Sequence, residues 1–426
     1  MADTISPLSI LSLLVFALGY LAIIFEHRIK VNKATSALLM AVVLWAIQFI
    51  DPVFAKVASF ELNEHLADVS QVILFLLGAL TIVEIIHVHG GLEVVARFIR
   101  VHSKRAALVV VGLIAFFLSS ILDNLTTTIV MVMMLKKIIS NNEDRLFFGG
   151  TVVIAANAGG AWTPIGDVTT TMLWVGGQLS TAAMMESLFL PSLACLGGAL
   201  LCLLPLLKGP LERASESQLG KPQPQGKAVL VCGVLALVFV PIFKAITGLP
   251  PYMGILFSMS GLWLLTDLLH HAYEERDHLR VTAILPRVDL TTLLFFLGIL
   301  LAVDALDTAG ILRTFAYHLD KAIHSKEWVA IVIGLISAVV DNVPLVAASM
   351  GMYSTATYPI DSPFWMLIAY CAGTGGSILI IGSAAGVAFM GLEKVNFFWY
   401  VKRVGLAAFV GYFAGIGVYA LQQLMV

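Results

Sequence analysis

The sequence predicts an all-α polytopic membrane protein made of two inverted-topology repeats, each with a re-entrant helical hairpin and an unwound transmembrane helix. Three observations predict it. The 426 residues are 59% hydrophobic and 12% charged, with a mean hydropathy of +0.94, too little polar surface for a water-soluble chain of this length. Apolar runs of the ~20 residues needed to cross a ~30 Å hydrocarbon core recur from end to end. Two acid–amide pairs, Asp123-Asn124 and Asp341-Asn342, interrupt apolar segments at matched positions. An ionisable group at the bilayer centre costs roughly 2.5 to 3.5 kcal/mol, so two placed alike suggest a site. The net charge of −2 gives no reason to expect nucleic acid or an acidic partner. Cys195, Cys202, Cys232 and Cys371 lie in apolar segments without metal spacing and read as small buried hydrophobes.

Taken in order, runs at 8–25, 34–50 and 69–88 are the first three spans. The opening MADTISPL lacks a basic n-region and a cleavage site, so the first helix is expected to stay. Leu92 to Val101, apolar on one face with Arg97 and Arg100 on the other, suits a helix lying in the interface. The segment 106–139 would be ~51 Å long as one straight helix, beyond the bilayer core, so it is expected to break at Asp123-Asn124. Lys104 and Arg105 precede it and Lys136, Lys137 and Arg145 follow, which puts both ends on one side, as in a re-entrant hairpin. The stretch 147–176 is interrupted by NAGGAWTPIGD, residues 157–167, and reads as an unwound crossing helix. A span at 187–207 closes a first repeat, 1–207, and the Pro-, Gly-, Ser- and Gln-rich stretch 208–227 is a cytoplasmic linker.

The second repeat, 228–426, restarts the order. Spans at 228–246, 252–270 and 289–307 precede an amphipathic piece at 311–323. A hairpin at 328–356 follows, broken at Asp341-Asn342, then a crossing helix at 364–391 interrupted at AGTGGSILIIGSAAG and a last span from 398. FLLGALTIVE at 75–84 echoes FFLGILLAVD at 295–304, and Asp123 echoes Asp341, at offsets of 220 and 218 residues, which is the mark of an internal duplication. With the N-terminus outside, cytoplasmic segments hold 20 of the 25 Lys and Arg. That orientation sets the first hairpin on the cytoplasmic side and the second on the outer side. Inverted repeats with broken helices meeting at the midplane are the architecture of secondary transporters.

Sodium is a small hard cation that takes oxygen ligands. Converging hairpin tips would offer two carboxylates, two Asn carbonyls, the Thr126 or Thr163 hydroxyl and backbone carbonyls freed at the breaks. Protons and the cation would then compete for the same carboxylates. Competition with alternating access suffices for antiport.

In SSILDNLTTT, NAGGAWTPIGDVTTT, AVVDNVPLVAA and GTGGSILIIGSAAG, in this order, the chain resembles the NhaD-type sodium/proton antiporters of the ion transporter superfamily. The resemblance covers essentially the whole chain. It implies exchange of Na+ or Li+ for H+ and a homodimer with a scaffold and a moving transport domain, in the inner membrane of a bacterium and without a cofactor. It also implies ion handling by Asp123, Asn124, Asn157, Asp167, Thr169, Thr170 and Asp341, with Ser377 and Ser383. Beside these we set Asn342 and Thr163, with Na+ held at Asp123, Asn124, Asp341 and Asn342.

Simpler readings exist for each. An Asp-Asn pair also caps a broken helix, and Asp167 suits an N-cap of the helix through Thr171. Glu84 and Asp304, matched across the repeats, suit interface charges or proton entry; His87 and His89 near Glu84 suit pH sensing or an ordinary loop edge. His270-His271 read as part of a solvated loop. The glycine-rich stretches carry no GxxxxGK[ST] and cradle no phosphate. A sodium-coupled anion or dicarboxylate symporter of the same superfamily would carry Ser-Asn-Thr at its tips, where this chain has Asp-Asn-Leu and Asp-Asn-Val. An intramembrane aspartyl protease would show GxGD, but Pro164-Ile165-Gly166 precede Asp167.

Overall fold

The computed structural model describes residues 7–51, 55–91, 103–211, 225–271, 273–323 and 325–425, and their structure is helical. Helices α1 (Pro7–Ile24), α2 (Lys33–Ile50) and α3 (Ala55–Val88) come first. The third span is expected at 69–88, but its helix starts at Ala55. Residues 55–68 include Glu61, Glu64, His65 and Asp68, which lower hydropathy without opposing helix formation. The piece at 92–101 lies outside the described residues, as does most of the 208–227 linker.

The expected first hairpin is two helices, α4 (Lys104–Ser119) and α5 (Asn124–Ile138), and the first interrupted crossing helix is α6 (Asn142–Gly160) and α7 (Val168–Val175). Next are α8 (Thr181–Leu203), α9 (Gly226–Thr247), α10 (Pro251–His270) and α11 (Leu290–Thr308). The amphipathic piece is α12 (Ile311–Ala322), which buries Leu312 and Ala316. The second pair of broken helices is α13 (Lys326–Ile336) with α14 (Asn342–Met352), then α15 (Pro363–Gly375) with α16 (Ala384–Glu393). A π-helical turn, Val401–Gly405, leads into α17 (Leu406–Met425). Among the described residues seven helical stretches are long and apolar enough to cross a membrane.

Each break has a capping side chain that takes over orphaned backbone donors. Asp123 accepts from Thr126 N, Asp341 from Val343 N, Asp167 from Thr169 N and Ser383 from Gly386 N. The two halves also dock their breaks in the same way. The Ser119 hydroxyl donates to the Ala156 carbonyl at 2.7 Å, and the Ser337 hydroxyl to the Ala372 carbonyl at 2.8 Å. A Cβ on Gly159 would collide with the Phe116 carbonyl, and one on Gly375 with the Gly334 carbonyl. Only glycine lets these backbones approach so closely. The two serine contacts and the two glycine contacts fall at matched positions, 216 to 218 residues apart.

Three apolar clusters surround the breaks. One joins α4 to α8 with α13 to α17, α14 through Val346. A second draws mainly on α1, α2, α3 and α11, and a third chiefly on α3, α9 and α10. Residues of the first break stand where they meet: Leu122 and Trp174 belong to the third cluster, and Met172 to the second. All four cysteines are free; Cys195 and Cys371 are buried.

Candidate functional site

The polar groups of the four breaks form one buried network. At the start of α5, the Asn124 amide donates to Asp167 Oδ2 at 2.7 Å and to Asn157 Oδ1 at 3.0 Å. From the start of α14, the Asn342 amide reaches the same Asp167 oxygen at 3.5 Å. The Asn157 amide, one turn before the first crossing break, donates to Ser377 Oγ at 2.8 Å and Ser383 Oγ at 2.9 Å, both at the second break. Asp167 Oδ1 accepts from the amide and the hydroxyl of Thr169, each at 3.0 Å. Asp167 is therefore both the N-cap of α7 and the point where the two tips meet. Thr170 donates back to the Asp167 carbonyl at 2.9 Å, and Thr163 to the Ser120 carbonyl at 2.7 Å, tying the crossing break to the hairpin tip.

Asp123 and Asp341 flank this network and both act electrostatically on Asp167. Their surroundings differ. Asp123 accepts from Thr126 N at 2.8 Å and from Thr126 Oγ1 at 2.7 Å. Asp341 accepts from Val343 N at 3.2 Å; Pro344 stands where the first half has Thr126 and brings no hydroxyl. The hydroxyls of Thr127 and Thr128, within a turn of Asn124, are buried with no hydrogen-bond partner, so oxygen donors remain uncommitted beside the network. A cavity of about 50 Å³ opens on Asp123, Asn124 and Asp167, walled by α3 through Phe75, Leu76 and Val83. Among the described residues no Lys, Arg or His lines it.

The remaining sequence candidates lie elsewhere. Glu84 sits next to the wall residue Val83 and pairs with His87 at 3.4 Å. Asp304 pairs with His65 at 3.5 Å, a partner 239 positions away that no local pattern marks. His89 is buried and faces His270 at 3.1 Å. His270 is thus no part of a solvated loop: it is the last residue of α10 and lies buried against His89, whereas His271 is exposed. Two further residues escape sequence reading because nothing local marks them. The Tyr400 hydroxyl holds the Ser377 carbonyl at 2.8 Å from the start of the π turn, and the Tyr20 hydroxyl of α1 is buried without a partner.

A bundle of membrane-length helices around broken helices, whose polar atoms meet at one buried acid, is the architecture of a membrane transporter. Residues 20–373 match the family described as CitMHS, citrate transporter. Sodium/proton antiporter 1 of Arabidopsis thaliana is 53% identical over 409 residues, 95% of this chain and 71% of the relative. Sodium/proton antiporter 2 of the same plant is 50% identical over 95% of this chain and 98% of its own length. The Na+/H+ antiporter NhaD of Vibrio cholerae is 29% identical over 94% and 89%. The chain belongs to this transporter family, on the branch of the NhaD-type sodium/proton antiporters.

Proposed function

We propose that the protein exchanges Na+, and Li+ with it, for H+ across its membrane by alternating access, with cation and protons competing for Asp123, Asp167 and Asp341. The observation that carries this reading is the position of Asp167, which accepts from the amides of both hairpin tips while both tip acids act on it. A largely buried set of carboxylates, amide and hydroxyl oxygens, with no cationic side chain among the described residues that line it, suits a small hard cation. It disfavours a tricarboxylate, which would bring further negative charge against three acids. Citrate is the second reading, because the matching family carries that description.

In this reading the two halves are inverted repeats, 1–207 and 228–426, with hairpins at 106–139 and 328–356 entering from opposite sides and the N-terminus outside, as the Lys and Arg asymmetry suggests. The cluster containing the four broken helices moves, elevator-like, against the other two, and the functional unit is a homodimer. This reading takes the membrane to be the inner membrane of a bacterium, in keeping with the bacterial relatives; the Arabidopsis relatives are the observation against that choice. The test is transport by purified protein in liposomes with a preset pH gradient. Added Na+ or Li+ should dissipate the gradient and citrate should not; dissipation by citrate alone would transfer the site to the second reading.

A further inference from the structure

His89 follows the last turn of α3 and His270 is the last residue of α10, and both are fully buried. Their Nε2 atoms are 3.1 Å apart, with ring centroids at 5.2 Å. His89 Nδ1 lies 2.7 Å from the Ile85 carbonyl, which can only accept, so this nitrogen carries the proton and Nε2 of the neutral ring is bare. His270 must then donate from its own Nε2, which leaves its Nδ1 bare, buried and without a partner.

A proton added to the pair has one vacant nitrogen to occupy, His270 Nδ1. There it would be a buried N–H with no acceptor on a charged ring, among the costliest arrangements in a protein interior. The described charges around it offer no relief. Arg276 and His278, from the turn Glu274–Leu279, act on the pair and both oppose a positive charge. Asp267 on α10 is engaged by Trp263 and Arg280, and Asp277 by Arg280. On α3, Glu84 is paired with His87. From α9, Gly226 packs on the His89 carbonyl and its neighbour Lys227 is exposed.

We infer that His89 and His270 form a proton-sensitive clasp that holds the end of α3 to α10 while neutral and lets go when the pair takes up a proton. The clasp matters to transport because α3 walls the cavity at Asp123 as far as Val83, about 9 Å along the helix from His89. Acid on that side loosens the wall and slows exchange. The sign agrees with the environment of His89, whose imidazolium burial disfavours. Such a group contributes stability above the ordinary histidine range that is lost as pH falls through its lowered value.

The test compares Na+-driven proton flux and melting temperature from about pH 5.5 to about pH 8.5 in the unaltered protein, His270→Gln and Arg276→Gln. Glutamine keeps an N–H for His89 and cannot titrate. His270→Gln should therefore keep the alkaline rate and move the acid limb down by about one unit or more, with a melting temperature that falls less between neutral and acid pH than that of the unaltered protein, because one of the two buried rings no longer titrates. Arg276→Gln removes a cation facing the pair and should move the acid limb up. Unchanged limbs in both variants overturn the clasp, and so does a downward shift in Arg276→Gln. If His270→Gln does not reach the membrane, Arg276→Gln decides. The inference rests on the exchange reading for flux alone. Should the unaltered protein show no Na+-driven flux, that reading fails first, and the melting curves still decide the clasp.

Discussion

The side-chain amide of Asn124 donates to the carboxylate of Asp167 at 2.7 Å, joining the break between α4 and α5 to the break between α6 and α7. The same oxygen takes the Asn342 amide and the other oxygen takes Thr169, so Asp167 reads the position of both hairpins. Asp167→Asn replaces an acceptor with a group that also presents N–H to two amides. Exchange should fall by about a hundredfold or more, while the protein still inserts, because removing a buried charge does not oppose membrane entry. Flux in everted vesicles, normalised to protein in the membrane, checks this. Wild-type flux in Asp167→Asn would remove it from the ion path.

Asp123 is held by two bonds from Thr126, whereas Asp341 has one longer bond from Val343. Thr126→Val keeps the shape of the side chain and the backbone bond but removes the hydroxyl. A lost hydrogen bond to a charged group is worth about 1.5 to 3 kcal/mol, so apparent Na+ affinity should change about tenfold or more. A change under about twofold would make Asp123 a cap alone.

The helix breaks are legible in the sequence for a physical reason. Buried acids, clustered glycines and Pro164 are costly inside an apolar helix, and each marks a place where the backbone must find partners other than its own turn. The order of helices and the start of α5 at Asn124 and of α14 at Asn342 follow from that. Pairing between distant breaks does not. Asn157 reaches Ser377 and Ser383 across more than two hundred residues, and no periodicity encodes which amide meets which hydroxyl. The same holds for His89 with His270 and His65 with Asp304. The early start of α3 is hidden because hydropathy reports burial in lipid, not helicity in water.

The close approaches of Gly159 to Phe116 and Gly375 to Gly334 should tolerate no side chain. Gly159→Ala and Gly375→Ala are each expected to lose about 1 to 3 kcal/mol of stability through overpacking. Gly197→Ala, where a Cβ would meet nothing within 4 Å, should be neutral or stabilising. Melting in detergent compares the three, and equal loss at Gly197 would mean that helix composition, not the docking of the breaks, sets the effect.

The inverted arrangement proposed for the two halves predicts sidedness. A single cysteine introduced in the 208–227 linker should react with an impermeant maleimide from the cytoplasm only, and one at 356–362 from outside only. Reaction of both from the same side would rule out oppositely oriented hairpins.

Competition for shared carboxylates makes the strongest quantitative prediction. If Asp123 and Asp341 release protons as Na+ binds, Asp123→Asn and Asp341→Asn should each abolish exchange without lowering the amount of protein in the membrane. Release of two protons for one Na+ moves net charge, so the rate should respond to membrane potential; a rate blind to potential means that one proton is exchanged. With either number, each proton displaced makes apparent Na+ affinity rise about tenfold per pH unit while the acids titrate, then level off once they are ionised. A slope near two on a logarithmic plot counts both acids, and a slope near one counts a single acid. Na+ affinity constant across the active pH range would separate the proton path from the cation site, and the acids around Asp167 would then serve only one of the two ions.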